Sequence, residues 1–116
     1  KMSSSAGIAY KVMNYLEHHY TEDISLDSVA SALFLNKNYI AHVFKDETGS
    51  SPMDYTISLR MSHAKALLME THQSISDIAV KCGYSDFTYF SKQFKKNTGL
   101  SPSMFRKAEI NRMEDR

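Results

Sequence analysis

The feature that most constrains this chain is that it contains one pattern twice. Leu26, Val29 and Ala30 recur as Ile75, Ile78 and Ala79 at an offset of 49 residues. After a slip of one, Tyr39, Phe44, Lys45, Thr48, Gly49, Ser51, Pro52 and Tyr55 recur as Tyr89, Phe94, Lys95, Thr98, Gly99, Ser101, Pro102 and Phe105 at an offset of 50. The slip falls between Leu33 and Tyr39, where a turn absorbs length and a helix cannot. Two copies are too few for a solenoid, which needs three or more repeats to bury its faces. With 116 residues, 42% of them apolar, the chain has room for two very small subdomains sharing a connector.

Apolar residues fall at helical spacing nearly everywhere and no segment alternates with a period of two, so the fold class is all-α. Ile8, Val12, Tyr15, Leu16 and Tyr20 line a first helix that ends at Thr21-Glu22-Asp23. Ser25 caps a short second helix with Leu26, Val29, Ala30 and Leu33 inward. A third helix runs from near Asn36 to Gly49, a glycine able to take the left-handed conformation. Ser51-Pro52 reads as N-cap and N1 proline of a long helix through Tyr55, Leu59, Ala64, Leu67 and Leu68 to about Glu70. Each copy is thus a short helix, a tight turn and a longer helix ending in Thr-Gly, which is a helix-turn-helix. In the second copy Gly83 suits the turn, and Ser85 or Asp86 can cap the next helix. The first copy has Phe34-Leu35 where the second has Gly83-Tyr84, so its turn must form without glycine.

A formal net charge of +1 does not announce a nucleic-acid binder, but the distribution is lopsided. From Ile8 to Leu35 the only base is Lys11, against Glu17, Glu22, Asp23 and Asp27. From Lys81 to Lys107, Lys81, Lys92, Lys95, Lys96, Arg106 and Lys107 face only Asp86, which puts the candidate anion-binding surface in the second half. No apolar run is long enough to span a bilayer, and Lys1-Met2-Ser3-Ser4-Ser5 lacks the apolar stretch of a secretory signal, so a cytoplasmic location without membrane contact is expected. The single Cys82 fits a reducing compartment and packs as a small hydrophobe at a helix end. His18, His19, His42, His63, His72 and Cys82 show no metal-ligand spacing, and no cofactor or metal is implied. Ser62 and Lys65 match the S-x-x-K pattern of serine acyl enzymes, yet they lie inside the long helix without companion motifs or an oxyanion loop, so no enzyme is read here.

The stretches Ile75 to Asp86 (ISDIAVKCGYSD) and Tyr89 to Pro102 (YFSKQFKKNTGLSP) resemble the second helix-turn-helix unit of the AraC/XylS family of bacterial transcription regulators. The first unit, Leu26 to Tyr55, and the R-x-x-x-A-x-x-L-L spacing of Arg60 to Leu68 match that family as well, and the resemblance covers about Ile8 to Lys107. It implies seven helices in two homeodomain-like helix-turn-helix subdomains: residues 8–50, a bridging helix over 51–70, and residues 71–108. Residues 1–7 are then a disordered or expression-derived tail and 109–116 a C-terminal tail. It also implies recognition helices at about 36–48 and 86–98, double-stranded DNA and RNA polymerase as partners, and a sensing or dimerisation domain elsewhere in a longer protein. The bridging helix would run roughly 28 Å at about 1.5 Å per residue, near the ~34 Å between successive major-groove faces.

A recognition helix shows its N-terminal residues to base edges and its later ones to phosphates. In the first unit Tyr39, Ile40, Val43 and Phe44 are expected inward, leaving Lys37, Asn38, Ala41, His42 and Lys45 exposed. Asn38, able to pair with adenine, and His42, able to donate to guanine, are the base-reading candidates, with an ordinary surface histidine as the alternative for His42. In the second unit Phe87, Thr88, Ser91 and Lys92 occupy the matching positions over a Phe90 and Phe94 core. Phe87 either lies on thymine methyl groups or packs on Tyr84 or Tyr89. Lys37, Lys45, Lys95 and Lys96, with the helix starts at Ser51 and Ser101, are the phosphate candidates, whereas family position makes Arg60 a structural ion-pair residue. The competing reading is a helical protein-interaction module that keeps the fold without binding DNA.

Overall fold

Helix starts fall where the sequence supplies caps. The computed structural model describes residues 4–115, with α1 (Ser5–His19), α2 (Leu26–Leu33), α3 (Lys37–Thr48), α4 (Pro52–Glu70), α5 (Ile75–Lys81), α6 (Phe87–Thr98) and α7 (Pro102–Glu114). Ser25 and Ser28 form a reciprocal capping box at α2, each side chain taking up the other's backbone N–H. Ser51 and Ser101 cap α4 and α7 ahead of their N1 prolines. The expected tails are shorter than anticipated. Ser4 accepts from Gly7 N at 3.0 Å and starts α1, and residues 109–114 continue α7, where Arg112 chelates Glu109 at 2.7 and 3.1 Å. Residues 1–3 and 116 lie outside the described residues.

The chain divides into two compact units between Leu59 and Arg60, inside α4. Unit 1 buries Ala9, Val12 and Leu16 of α1 against Val29 and Ala30 of α2 and Ile40 and Phe44 of α3, with Met53, Tyr55 and Leu59 from the first half of α4 closing the cluster. Unit 2 buries Met61, Ala64 and Leu68 of the second half of α4, Ile78 and Ala79 of α5, and Phe90 and Phe94 of α6. The spacing of Met61, Ala64 and Leu68 repeats that of Ala9, Val12 and Leu16, so the second half of α4 stands in unit 2 where α1 stands in unit 1. The bridging helix is therefore not a separate segment, since each half belongs to one core.

The two corners that follow α3 and α6 are built alike. Thr48 Oγ1 lies 2.7 Å from Phe44 O and 3.1 Å from Ser50 O and accepts from Ser50 N, and Thr98 does the same with Phe94 O, Leu100 O and Leu100 N. Gly49 and Gly99 then take φ of 82° and 88° and donate to Lys45 O and Lys95 O, satisfying carbonyls the helix ends leave open. The Thr-Gly-x-Ser-Pro recurrence is thus a recipe for one corner. It delivers an aromatic ring from the next helix edge-on to the buried phenylalanine: Tyr55 to Phe44 at 5.7 Å, Phe105 to Phe94 at 5.4 Å.

The two helix-turn-helix turns reach the same hydrogen bond by different means. Leu35 N donates to Ala30 O at 3.0 Å and Tyr84 N to Ala79 O at 2.9 Å. The residue before each must take a positive φ: Gly83 does so at 101° and Phe34 at 57°, the one non-glycine residue with positive φ among those described. The extra residue of the second turn is Ser85.

A Cβ on Gly99 would meet nothing within 4 Å, so Gly99→Ala should cost only the left-handed strain, about 1–2 kcal/mol. Phe34→Gly removes such strain and adds about 0.5–1 kcal/mol of chain entropy loss, leaving stability unchanged or raised; urea midpoints of both variants check this. Burial, then the hydrogen bond to Glu17 (2.6 Å) and its charge, push the Tyr55 phenol up to about 12 from its ordinary 10. The fold favours the neutral hydroxyl, so this contribution is fully present below pH 10 and lost as pH rises from 10 to about 12. Tyr55→Phe should flatten that alkaline loss when stability is followed across the interval.

Candidate nucleic-acid interface

On α3, Asn36 Oδ1 accepts from Asn38 N at 2.9 Å and Tyr39 N at 3.0 Å, fixing the helix start. Ile40, Val43 and Phe44 are buried, and Lys37, Asn38, His42 and Lys45 stand exposed with Ala41 half-buried. Tyr39 departs from expectation, being 43% exposed rather than inward. One residue before Ile40, it lies about 100° round the helix from that core position, on the flank of the buried stripe. Two of the exposed side chains are engaged: Lys37 Nζ pairs with Asp27 at 3.0 Å and His42 Nε2 with Asp46 at 3.1 Å. Both pairs are solvent-exposed and weak, so an approaching phosphate or base competes with them readily.

On α6, Asp86 rather than Ser85 is the cap, accepting from Thr88 N at 2.9 Å and Tyr89 N at 3.2 Å. Phe90 and Phe94 are buried, Thr88, Lys92, Lys95 and Lys96 exposed, and Ser91 half-buried. Phe87 is 48% exposed, and the ring contacts of Tyr84 go to Tyr89 and Phe90. The two helices differ most in charge. α3 sets Lys37 and Lys45 against Asp46 and Glu47, whereas α6 carries Lys92, Lys95 and Lys96 with no acid, Lys96 standing where α3 has Asp46.

Behind α6 lies a polar relay that sequence reasoning missed. The Arg60 guanidinium sits over the Tyr84 ring, 5.1 Å from its centroid. Tyr84 donates to Gln93 Oε1, and Gln93 Nε2 donates to the hydroxyl of Tyr89, a ring 54% exposed on α6. Burial raises the Tyr84 phenol pKa and keeps it a donor. The Tyr39/Tyr89 recurrence was the available signal, since a tyrosine kept in both copies beside the core stripe marks a shared flank position.

Arg106, counted among the basic residues of the second half, is turned inward. Its Nε donates to Leu68 O at 3.0 Å and its Nη2 to Thr71 O at 3.2 Å, satisfying carbonyls at the end of α4. The basic surface therefore consists of Lys81, Lys92, Lys95, Lys96 and Lys107, all exposed. Ser51 and Ser101 are half-buried, and their Oγ atoms accept from Asp54 N (3.1 Å) and Met104 N (3.3 Å). The N–H groups of Met53 and Ser103 are the ones these caps leave for an anion. Cys82 is fully buried and its thiol is pushed up to about 11 by burial, so it is protonated and inert. Among the described residues no helix is long and apolar enough to cross a membrane and no acidic, histidine or cysteine cluster is placed to hold a metal.

A family model described as a helix-turn-helix domain matches residues 29–108. The uncharacterised HTH-type transcriptional regulator YisR of Bacillus subtilis is 35% identical over 105 residues, covering 90% of this chain and 37% of its own length. The HTH-type transcriptional activator RhaS of an Enterobacter species is 34% identical over 96 residues, covering 83% of this chain and 34% of its own. The chain thus spans little more than a third of the length of these curated relatives. Among solved structures, the C-terminal domain of AraT, a response regulator from Geobacillus stearothermophilus, superposes with a TM-score of 0.85 at 34% identity, covering 87% of this chain and 84% of that one.

Proposed function

The chain belongs to the AraC family of helix-turn-helix transcription regulators, and from that premise we propose that it binds double-stranded DNA sequence-specifically, α3 and α6 lying in successive major-groove segments. The observation that carries this reading is the surface of α6: three lysines and no carboxylate on a helix whose opposite face is locked by Phe90 and Phe94. A patch of that kind gains by releasing counterions from phosphates.

Roles divide along each helix. Asn38 and His42 on α3, and Phe87, Thr88, Ser91 and Lys92 on α6, are placed toward the helix starts and read bases. Asn38 offers the donor and acceptor that adenine requires, and the half-exposed Phe87 ring offers an apolar surface to thymine methyls. His42 reads guanine only after turning away from Asp46. Lys37, Lys45, Lys95 and Lys96 contact phosphates, and the helix starts at Ser51 and Ser101 add N–H groups and a positive dipole end. Phosphate-based affinity is concentrated in unit 2.

The matched stretch is only 37% and 34% of the length of the two relatives, which supports a longer protein in which a sensing or dimerisation domain sets when this one binds and RNA polymerase is the recipient of the signal. Such a regulator works in the cytoplasm. The charge-balanced α3 keeps a second reading open, a helical interaction module without DNA, which a flat salt dependence would favour.

Replacing Lys95 and Lys96 together by alanine should weaken binding to all duplexes alike and lower the slope of log affinity against log salt by about 2. Unchanged affinity at low salt removes both from the interface. Asn38→Ala should relax preference at one base step, lost discrimination being about 1–3 kcal/mol; a binding-site selection returning the parent's motif would show that Asn38 reads nothing.

A further inference from the structure

Tyr89, Lys92 and Lys96 stand at i, i+3 and i+7 along α6, so a phenol and two lysines share one edge of its exposed face. The lysines belong to the anion-binding surface already described. The tyrosine hydroxyl has no role there yet, and the direction of the relay behind it decides what it can do. Arg60 hydrogen-bonds the Tyr84 side chain, and a guanidinium only donates, so the Tyr84 oxygen accepts from it and the Tyr84 hydrogen goes onward to Gln93 Oε1. With its carbonyl used in this way, Gln93 turns Nε2 to the Tyr89 oxygen and donates at 2.9 Å. Tyr89 therefore accepts on its inner side, and its own hydrogen is left for a group outside the chain. Accepting one hydrogen bond strengthens the hydroxyl as a donor of the next.

The first copy shows that the fold does not need this chain of bonds. Unit 1 has Leu35 where unit 2 has Tyr84, Val43 where it has Gln93, and Asp46 where it has Lys96. Leu35 and Val43 carry no polar side-chain atom to orient the Tyr39 hydroxyl, and Asp46 sets a carboxylate in place of a cation. The same helix, corner and aromatic edge form there all the same. The relay thus serves the exposed end at which it stops, a ring 54% in solvent beside lysines.

We propose that Tyr89 is a phosphate-binding residue of the DNA interface, its hydroxyl donating to a backbone phosphate oxygen on the edge that Lys92 and Lys96 make positive, with Gln93 as the residue that positions it. This rests on α6 being a DNA-contacting helix. A phosphate suits the site because that edge offers only donors and a phosphate oxygen only accepts. Tyr89 also follows Phe87 and Thr88 and precedes the buried Phe90, so it lies at the margin of the exposed face, where a helix seated in a groove meets the strand backbone rather than base edges.

The test is a set of anisotropy titrations of a selected and a random-sequence duplex over a range of salt. Tyr89→Phe keeps the ring and removes only the donor. It should bind both duplexes about fivefold or more weakly, with the slope of log affinity against log salt unchanged, because a neutral donor releases no counterion. Tyr39→Phe should bind as the parent does. Tyr84→Phe combined with Gln93→Val removes the relay without leaving a buried hydroxyl unpaired. It should weaken binding about threefold in the parent and not at all in the Tyr89→Phe background, since a positioning group has no effect once the group it positions is gone. Equal affinity of Tyr89→Phe and the parent overturns the proposal and leaves the DNA reading standing. A loss confined to the selected duplex assigns Tyr89 to a base, and a lowered salt slope assigns the effect to the lysines; either overturns it. A relay variant that still weakens binding in the Tyr89→Phe background overturns the role of Gln93. A parent without salt-dependent duplex binding overturns the DNA reading and this proposal together.

Discussion

The rest of the molecule depends on an aromatic lock repeated in each unit. Units this small cannot bury a helix by area alone. Phe44 and Phe94 hold α3 and α6 in place because the next helix returns an aromatic edge to each of them. That return is possible only if the chain turns sharply after the helix, which is what the threonine hydroxyl, the left-handed glycine and the serine-proline start accomplish together. With the inner face immobilised, the outer face of each helix is presented at a fixed rotation, and a fixed rotation is what reading base edges requires.

The same scaffold is finished differently on its two outer faces. In unit 2 lysines outnumber acids on α6, and a relay from Arg60 through Tyr84 and Gln93 steadies Tyr89 beside them. In unit 1 lysine and histidine are partly neutralised by Asp27 and Asp46, and Tyr55 spends its hydroxyl on Glu17 where Phe105 has none to spend. The α6 face thus carries lysines without an acid, whereas on α3 Lys37 and His42 are each paired with a carboxylate.

Much of this was legible in the sequence. The repeat located the helices, and Ser25, Asn36, Gly49, Ser51 and Gly99 marked boundaries that the backbone respects, because caps and left-handed glycines act through neighbours a few residues away. What escaped was non-local or directional. Arg106 counted as surface charge until its carbonyl acceptors nearly forty residues earlier came into view. Tyr39 was misplaced because an apolar ring on the flank of a helix satisfies the periodicity either way. The match of Met61, Ala64 and Leu68 to Ala9, Val12 and Leu16 was hidden by its own offset and by different residue types at the first two positions. The base and phosphate candidates follow from position on the helix, and their partners lie outside the chain.

That last match gives α4 an unusual status. A helix whose first half completes one core and whose second half begins the next has no end at which the protein can be divided cleanly. Cutting before Pro52 strips the lid from Phe44, and cutting after Glu70 leaves α5 and α6 without the helix they fold onto. The smallest autonomous folding piece of either copy must carry part of α4 with it, and two such pieces taken from one chain would claim adjoining halves of the same helix.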